Sequence, residues 1–196
     1  LSGYENLNSF FNPIRFEGSV YYGFFRNYIS AVIEPDIASD AKVFTNIKDA
    51  YKTGIDASAK LDFGKYYFLK TDLSYVYTRN KDFDESLPLI PPFTARISTG
   101  IEKEKFWGNI QYNIVATQNE LAYSFGEIRT GGYQTMDLRL GYKPVEKLSI
   151  GIAGLNIFDK TYHNHLNFAF RNQEGFASVP INEAGRNFTV FVQYKF

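Results

Sequence analysis

The chain has 196 residues, 44% hydrophobic and 18% aromatic, with 21 basic and 21 acidic side chains and no cysteine. One domain is expected at this length, and the balanced charge argues against nucleic-acid binding through a basic face. The missing thiols exclude disulfides, thiolate metal sites and cysteine nucleophiles, and no run approaches the ~20 consecutive apolar residues of a transmembrane helix.

Leu1-Ser2-Gly3-Tyr4-Glu5 has neither the basic start nor the apolar core of a signal peptide, so the chain is either mature or begins further upstream. Period-two alternation then runs through most of the sequence, and it predicts about nine strands. Phe16, Val20, Tyr22 and Phe24 form one face near the N-terminus. Ile55, Ala57, Ala59, Leu61 and Phe63 oppose Asp56, Ser58, Lys60 and Asp62. From Tyr67 to Thr78, apolar and aromatic residues alternate with Lys70, Asp72 and Ser74. The same pattern returns at Ala95 to Glu102, at Phe106 to Ile114, and at Gln134 to Lys143, where Leu138 and Leu140 oppose Asp137 and Arg139. The last segment sets Phe188, Val190, Val192, Tyr194 and Phe196 against Asn187, Thr189, Gln193 and Lys195.

The polar faces carry charges of both signs, which a soluble core rejects and a wet lumen accepts. A soluble barrel or sandwich with an aromatic core is the plainer alternative. Connections alternate in length. Short turns fall at Asn12-Pro13, Gly64-Lys65, Glu102 to Lys105 and Pro144 to Lys147. Longer polar stretches run over about 34–42, 80–92, 119–132 and 162–186. Outer-membrane barrels have short periplasmic turns and long external loops, so Phe196 is placed in the periplasm and the stretch after Tyr162 outside. Single-chain bacterial barrels use even strand numbers, so nine strands imply either a miscount or part of something larger.

The final alternating segment, ending on Phe196, resembles the closing strand of bacterial outer-membrane barrels. An ordered set carries a more specific resemblance: Leu87-Pro88-Leu89-Ile90-Pro91-Pro92-Phe93, then Gly132-Tyr133, then Asn156-Ile157-Phe158-Asp159-Lys160-Thr161-Tyr162, then Gly185-Arg186-Asn187-Phe188. Together these resemble the C-terminal barrel region of TonB-dependent outer-membrane receptors, over most of the chain. The resemblance implies an all-β fold, an antiparallel transmembrane segment from the last part of a 22-stranded barrel, with residues 1–196 as barrel region. The plug domain and the TonB box are absent from this sequence. It further implies energy-coupled uptake of a scarce ligand such as a ferric siderophore, another metal chelate or cobalamin. The implied partners are outer-membrane lipid, the missing N-terminal barrel and plug, TonB, and the barrel-assembly machinery, which reads Phe188, Val190, Val192, Tyr194 and Phe196. The implied location is the bacterial outer membrane. A complete small barrel acting as a porin-like or structural protein is the alternative.

Residues that bear chemistry are few. His163 and His165 are the only histidines, and a His-x-His pair with Asn164 or Glu174 nearby is a candidate transition-metal site. The same stretch also reads as an ordinary loop base. Arg186 is expected to pair with a lumen carboxylate such as Asp137 or Asp159. Tyr123, Phe125, Phe168, Phe170 and Phe176 are aromatics in expected loops and the candidate ligand contacts. Ser124 or Ser149 with a histidine and an aspartate is the best hydrolase guess, but no nucleophile elbow, phosphate loop or dinucleotide fingerprint supports it. The reading is therefore a transporter, not an enzyme, with no cofactor.

Overall fold

A computed structural model describes residues 13–38, 41–167, 170–171, 178–179 and 181–196. Eight strands form one antiparallel sheet in simple meander order: β1 (Arg15–Ile33), β2 (Lys42–Phe63), β3 (Tyr67–Asn80), β4 (Thr94–Glu102), β5 (Phe106–Val115), β6 (Tyr133–Val145), β7 (Leu148–Leu155) and β10 (Asn187–Tyr194). β8 (Phe170–Arg171) and β9 (Ser178–Val179) make a separate two-residue ladder within the last connection. The described sheet thus holds eight strands where about nine are expected. One reason is that β2 is a single strand of 22 residues, enough length for two ordinary strands. With eight, the first and last strands have their outer ends at the same side of the sheet, the side of the short turns.

Through the middle of the sheet the alternation is kept from strand to strand. Glu17, Ser58, Asp72, Arg96, Asn113 and Thr135 lie directly opposite one another on six successive strands. A one-residue slip anywhere would turn that polar row toward the apolar side. Asp72 accepts hydrogen bonds from Ser58 Oγ at 2.9 Å and pairs with Lys70 Nζ at 2.9 Å, so charges on this face meet partners on the same face. The opposite face is apolar and exposed: Val20, Ile55, Leu69, Ile97, Ile110, Leu140, Ile152 and Val190 all face outward.

Aromatic side chains bound this outward band at both ends. At the short-turn end Phe63 stacks on Tyr67 (5.7 Å), Phe106 on Tyr142 (4.6 Å), and Tyr194 meets Phe196 edge-on (5.4 Å). At the other end Tyr22, Tyr51 and Tyr77 form a row with 6.1 Å between neighbouring rings. Tyr67 and Tyr77 sit at the two ends of one strand face, roughly 34 Å apart along the strand at ~3.4 Å per residue. At a tilt of ~40° this is about 26 Å along the normal, close to the ~25 Å apolar band of an outer-membrane barrel.

The sheet also curves, and the concave face accommodates rings over glycines of the next strand. A Cβ on Gly54 would lie 2.3 Å from the Tyr21 hydroxyl oxygen, and one on Gly141 would lie 2.1 Å from the Trp107 ring. Asn27, with φ of 55°, interrupts the alternation of β1. Phe25 and Tyr28 are half-buried while Arg26 and Asn27 are exposed, so the face reverses there. Beyond this reversal Ile47 and Ala50 pack with Leu87 and Ile90 in the small apolar core, against Phe25, Tyr28 and Val76.

The two faces give a direct test at adjacent positions. Ile110 faces outward midway along β5 and Gln111 faces the polar side. In the full-length protein, Ile110→Arg should cost ~2–4 kcal/mol of folding into bilayers and Gln111→Arg much less. Equal tolerance in denaturant titrations of both refolded variants would show the register to be wrong.

Candidate functional site

The polar concave face encloses a cavity of about 750 Å³ lined by Glu17, Asp56, Asp72, Arg96, Asn113 and Tyr162, among others. Most of its walls come from consecutive ladder rows, so strand register assembles them. Tyr162 overhangs it from the last long connection and stacks on Tyr133, the first residue of β6, at 4.1 Å. Burial, then the nearby Glu183 and Asp137 carboxylates, push the Tyr162 phenol above its ordinary value, so it stays a neutral hydroxyl.

Above the cavity three long connections, 81–93, 116–132 and 156–186, lock together through buried polar groups. Glu127 is central. Its carboxylate accepts the Ala122 N–H at 2.9 Å and the Leu89 N–H at 2.5 Å, and stands 3.6 Å from His165 Nε2. His165 Nδ1 lies 3.1 Å from Thr130 Oγ1. Glu85, also buried, accepts the Ser124 N–H at 3.0 Å and the Ser124 hydroxyl. Gln118 donates to the Ile90 carbonyl at 2.8 Å, and the Ser86 N–H to the Leu121 carbonyl at 3.3 Å. Burial alone would raise the Glu127 carboxyl. Contact with His165 and the two amide donors outweighs it, and the group is held below the ordinary glutamate value.

Chemistry at these groups is limited by access. Thr130, His165 and Glu127 present a hydroxyl, an imidazole and a carboxylate in sequence, yet Thr130 is 6% and His165 8% exposed. Ser124, the hydrolase guess, is taken up by Glu85, and Ser149 lies on β7 near the short-turn end, at the opposite end of the sheet from both histidines. His163 has a buried Nε2 without a hydrogen bond, but among the described residues no three His, Cys, Asp or Glu side chains converge as a metal set. Glu174, named as a possible helper, lies outside the described residues.

The expected lumen trio is arranged differently from the simple pairing. Asp137 pairs with Arg139 at 3.6 Å and accepts the Asn156 N–H at 2.9 Å. Asp159 accepts the main-chain N–H of Arg186 at 2.8 Å, so what Arg186 brings to it is its backbone, not a guanidinium contact. Asn156 closes the turn after β7 with bonds to both main-chain groups of Lys160, each 2.9 Å. The Asn-x-x-Asp-Lys stretch therefore fixes the exit from β7 and the start of β10 together. Of the aromatic candidates, Tyr123 is 68% exposed at the head of the loop layer, and the Lys42 ammonium stands over the Phe125 ring at 3.3 Å. Phe168 and Phe176 lie outside the described residues, and Phe170 is described only as part of β8.

The family described as TonB dependent receptor-like, beta-barrel, matches residues 3–157. The chain belongs to the TonB-dependent receptor β-barrel family. It is a family of receptors and transporters and not of enzymes. Among solved structures, the chain is similar to the copper transporter OprC, with a TM-score of 0.86 and 24% identity over 93% of this chain and 29% of that one. It is also similar to the FrpB iron transporter from Neisseria meningitidis (TM-score 0.68, 18% identity, 93% of this chain and 29% of that one). The ferric yersiniabactin uptake receptor FyuA from Yersinia pestis gives 0.69 and 17%, over 93% and 28%. At these identities the likeness is one of fold. The chain spans 29% of OprC and of FrpB, less than a third of either. No curated protein sequence matches it.

The Glu127 clasp has a defined pH signature. Its folded pKa is depressed, so its stabilisation is complete above the ordinary Glu value of about 4.3 and disappears as pH falls through the folded value. Protection of the Leu89 and Ala122 amides, relative to the unfolded exchange rate at the same pH, should stay high near neutral pH and fall only once the pH drops below the ordinary glutamate value. Glu127→Gln should lower the protection of one of these amides near neutral pH, because that amide then faces an NH₂ group, a loss of about 1–3 kcal/mol, and the difference from wild type should shrink in acid. Exchange unchanged in this variant would remove Glu127 from its role.

Proposed function

We propose that this chain is the C-terminal wall and loop portion of a TonB-dependent receptor of the bacterial outer membrane. In this reading it takes part in energy-coupled import of a scarce ligand: a ferric siderophore, another metal chelate or cobalamin. One observation carries it: eight strands with an apolar outward face between two aromatic rows and a charged concave face, in a chain of this family. The named functions of the similar structures, copper and iron transport and ferric yersiniabactin uptake, support metal or metal-chelate cargo. In this reading the exposed Tyr123 and the neighbouring loop aromatics take the ligand, the clasped loops hold its site rigid, and the cavity below lies on its route inward. TonB would act through a plug and box supplied by another part of the receptor, and the assembly machinery would read Phe188, Val190, Val192, Tyr194 and Phe196.

The second reading, a complete small porin-like barrel, draws on the even count of eight strands. Against it, β1 and β10 share no ladder among the described residues. Uptake assays separate the two. Cells carrying the full-length protein should accumulate one labelled chelate or cobalamin against a gradient, and lose this on dissipation of the proton-motive force or deletion of TonB. Uptake that survives both treatments contradicts energy coupling and favours the porin-like barrel.

Two further outcomes follow from the edges and the end of the sheet. Residues 1–196 expressed alone should oligomerise or aggregate in detergent, because two open edges present unpaired N–H and C=O groups at several kcal/mol each in hydrocarbon. A monodisperse, heat-modifiable monomer with discrete conductance steps would support the small barrel instead. Phe196 is fully exposed and touches mainly Tyr194, so its deletion removes little packing. Deleting Phe196 from the full-length receptor should therefore sharply lower its surface level while denaturant melts of the refolded protein stay near normal. Unaltered assembly in pulse-labelled cells would make Phe196 only a packing residue.

A further inference from the structure

At the short-turn end the turn joining β2 to β3 carries Lys65 and Tyr66, and the turn joining β4 to β5 carries Lys103. The two turns are held side by side by the Glu102 N–H, which donates to the Tyr66 carbonyl at 2.8 Å. This brings both ammonium groups onto one ring: Lys65 Nζ is 5.4 Å and Lys103 Nζ 5.3 Å from the Tyr66 centroid. Two like charges on one ring repel, and neither has a carboxylate within ion-pairing distance among the described residues, although Glu102 and Glu104 flank Lys103 in sequence. The lysines further into the wall differ in this respect, since Lys60 and Lys70 are paired with Asp62 and Asp72.

The depth of this cluster identifies what would complete it. Tyr66 immediately precedes Tyr67, which stacks with Phe63 in the aromatic row of the short-turn end, and Leu69 continues the outward apolar face from there. Aromatic rows sit at headgroup level, and lysines just beyond them meet lipid phosphates. We propose that Lys65, Tyr66 and Lys103 form a docking site for the phosphate of an anionic phospholipid in the leaflet at the short-turn end, its acyl chains lying along the outward face of β2 to β4. An anion between the two ammonium groups relieves their repulsion, and the Tyr66 ring fixes their spacing.

The proposal rests on the chain spanning a bilayer, which heat-modifiable mobility of the full-length receptor in nanodiscs establishes separately. Receptor in nanodiscs of mixed phosphatidylglycerol and phosphatidylcholine would be ejected in native mass spectrometry and its retained lipids counted. A phosphate-facing lysine is worth about fivefold in binding, so Lys65→Gln/Lys103→Gln should lower the preference for phosphatidylglycerol by an order of magnitude or more. Lys65→Arg/Lys103→Arg should keep it, and Lys147→Gln/Lys195→Gln, at the same end but away from Tyr66, should leave it unchanged. An unaltered preference in the first variant, or an equal loss in the Lys147/Lys195 variant, overturns the site. So does capture of a soluble polyglutamate peptide by the wild type that the first variant abolishes, which assigns the cluster to an acidic polypeptide.

Discussion

The constraint on which everything else depends is that hydrocarbon offers no hydrogen bonds to a peptide backbone. Between the two aromatic rows each interior strand is laddered to a neighbour on both sides, from β1 through to β10. The period-two pattern, the apolar outward face and the charged inner face all follow, because a strand that gives its main chain to its neighbours has only its side chains left to divide between lipid and lumen. The same constraint makes the outer edges of β1 and β10 the least self-sufficient parts of the chain.

Beyond the rows the long connections have only isolated bridges and the two-residue β8–β9 ladder. Several of their main-chain donors are met by two buried carboxylates. Burying a carboxylate is costly unless several donors converge on it. Glu127 and Glu85 satisfy this by taking amides from 81–93 and 116–132, and Glu127 also contacts His165 of 156–186. The loop layer is therefore held largely by polar side chains where the wall is held by backbone ladders.

That difference also explains what was legible in the sequence. The faces of Tyr67 to Thr78 or Gln134 to Lys143 could be read directly, because alternation is local and a one-residue error reverses every side chain. The alternation of short and long connections was equally local. Glu127 could not be found this way: nothing in Gly126-Glu127-Ile128 indicates that Leu89 and His165 meet it, because strand register brings those loops together. His165 suggested metal for the same reason, its two partners being 35 and 38 residues away in the chain. The reversal at Asn27 escaped as well, since a left-handed asparagine inside a strand leaves no mark in an apolar pattern.

The two regimes meet at Tyr162. Its ring lies on Tyr133, where the wall begins, and its carbonyl accepts the Glu183 N–H at 2.9 Å, joining the start of the last long connection to its return. Asn156 and Asp159, a few residues earlier, bind that connection to β7 and β10. The segment over the cavity is thus pinned at both feet and by His165 within the clasp, while Tyr123 on a different connection stays exposed. In the proposed reading, a ligand taken at Tyr123 would pass inward from a layer organised by carboxylates to a face that carries charges of both signs, with the neutral Tyr162 hydroxyl at the boundary. Rigid feet and an exposed head are what a wall needs if capture is to occur without loosening the sheet that keeps its backbone out of lipid.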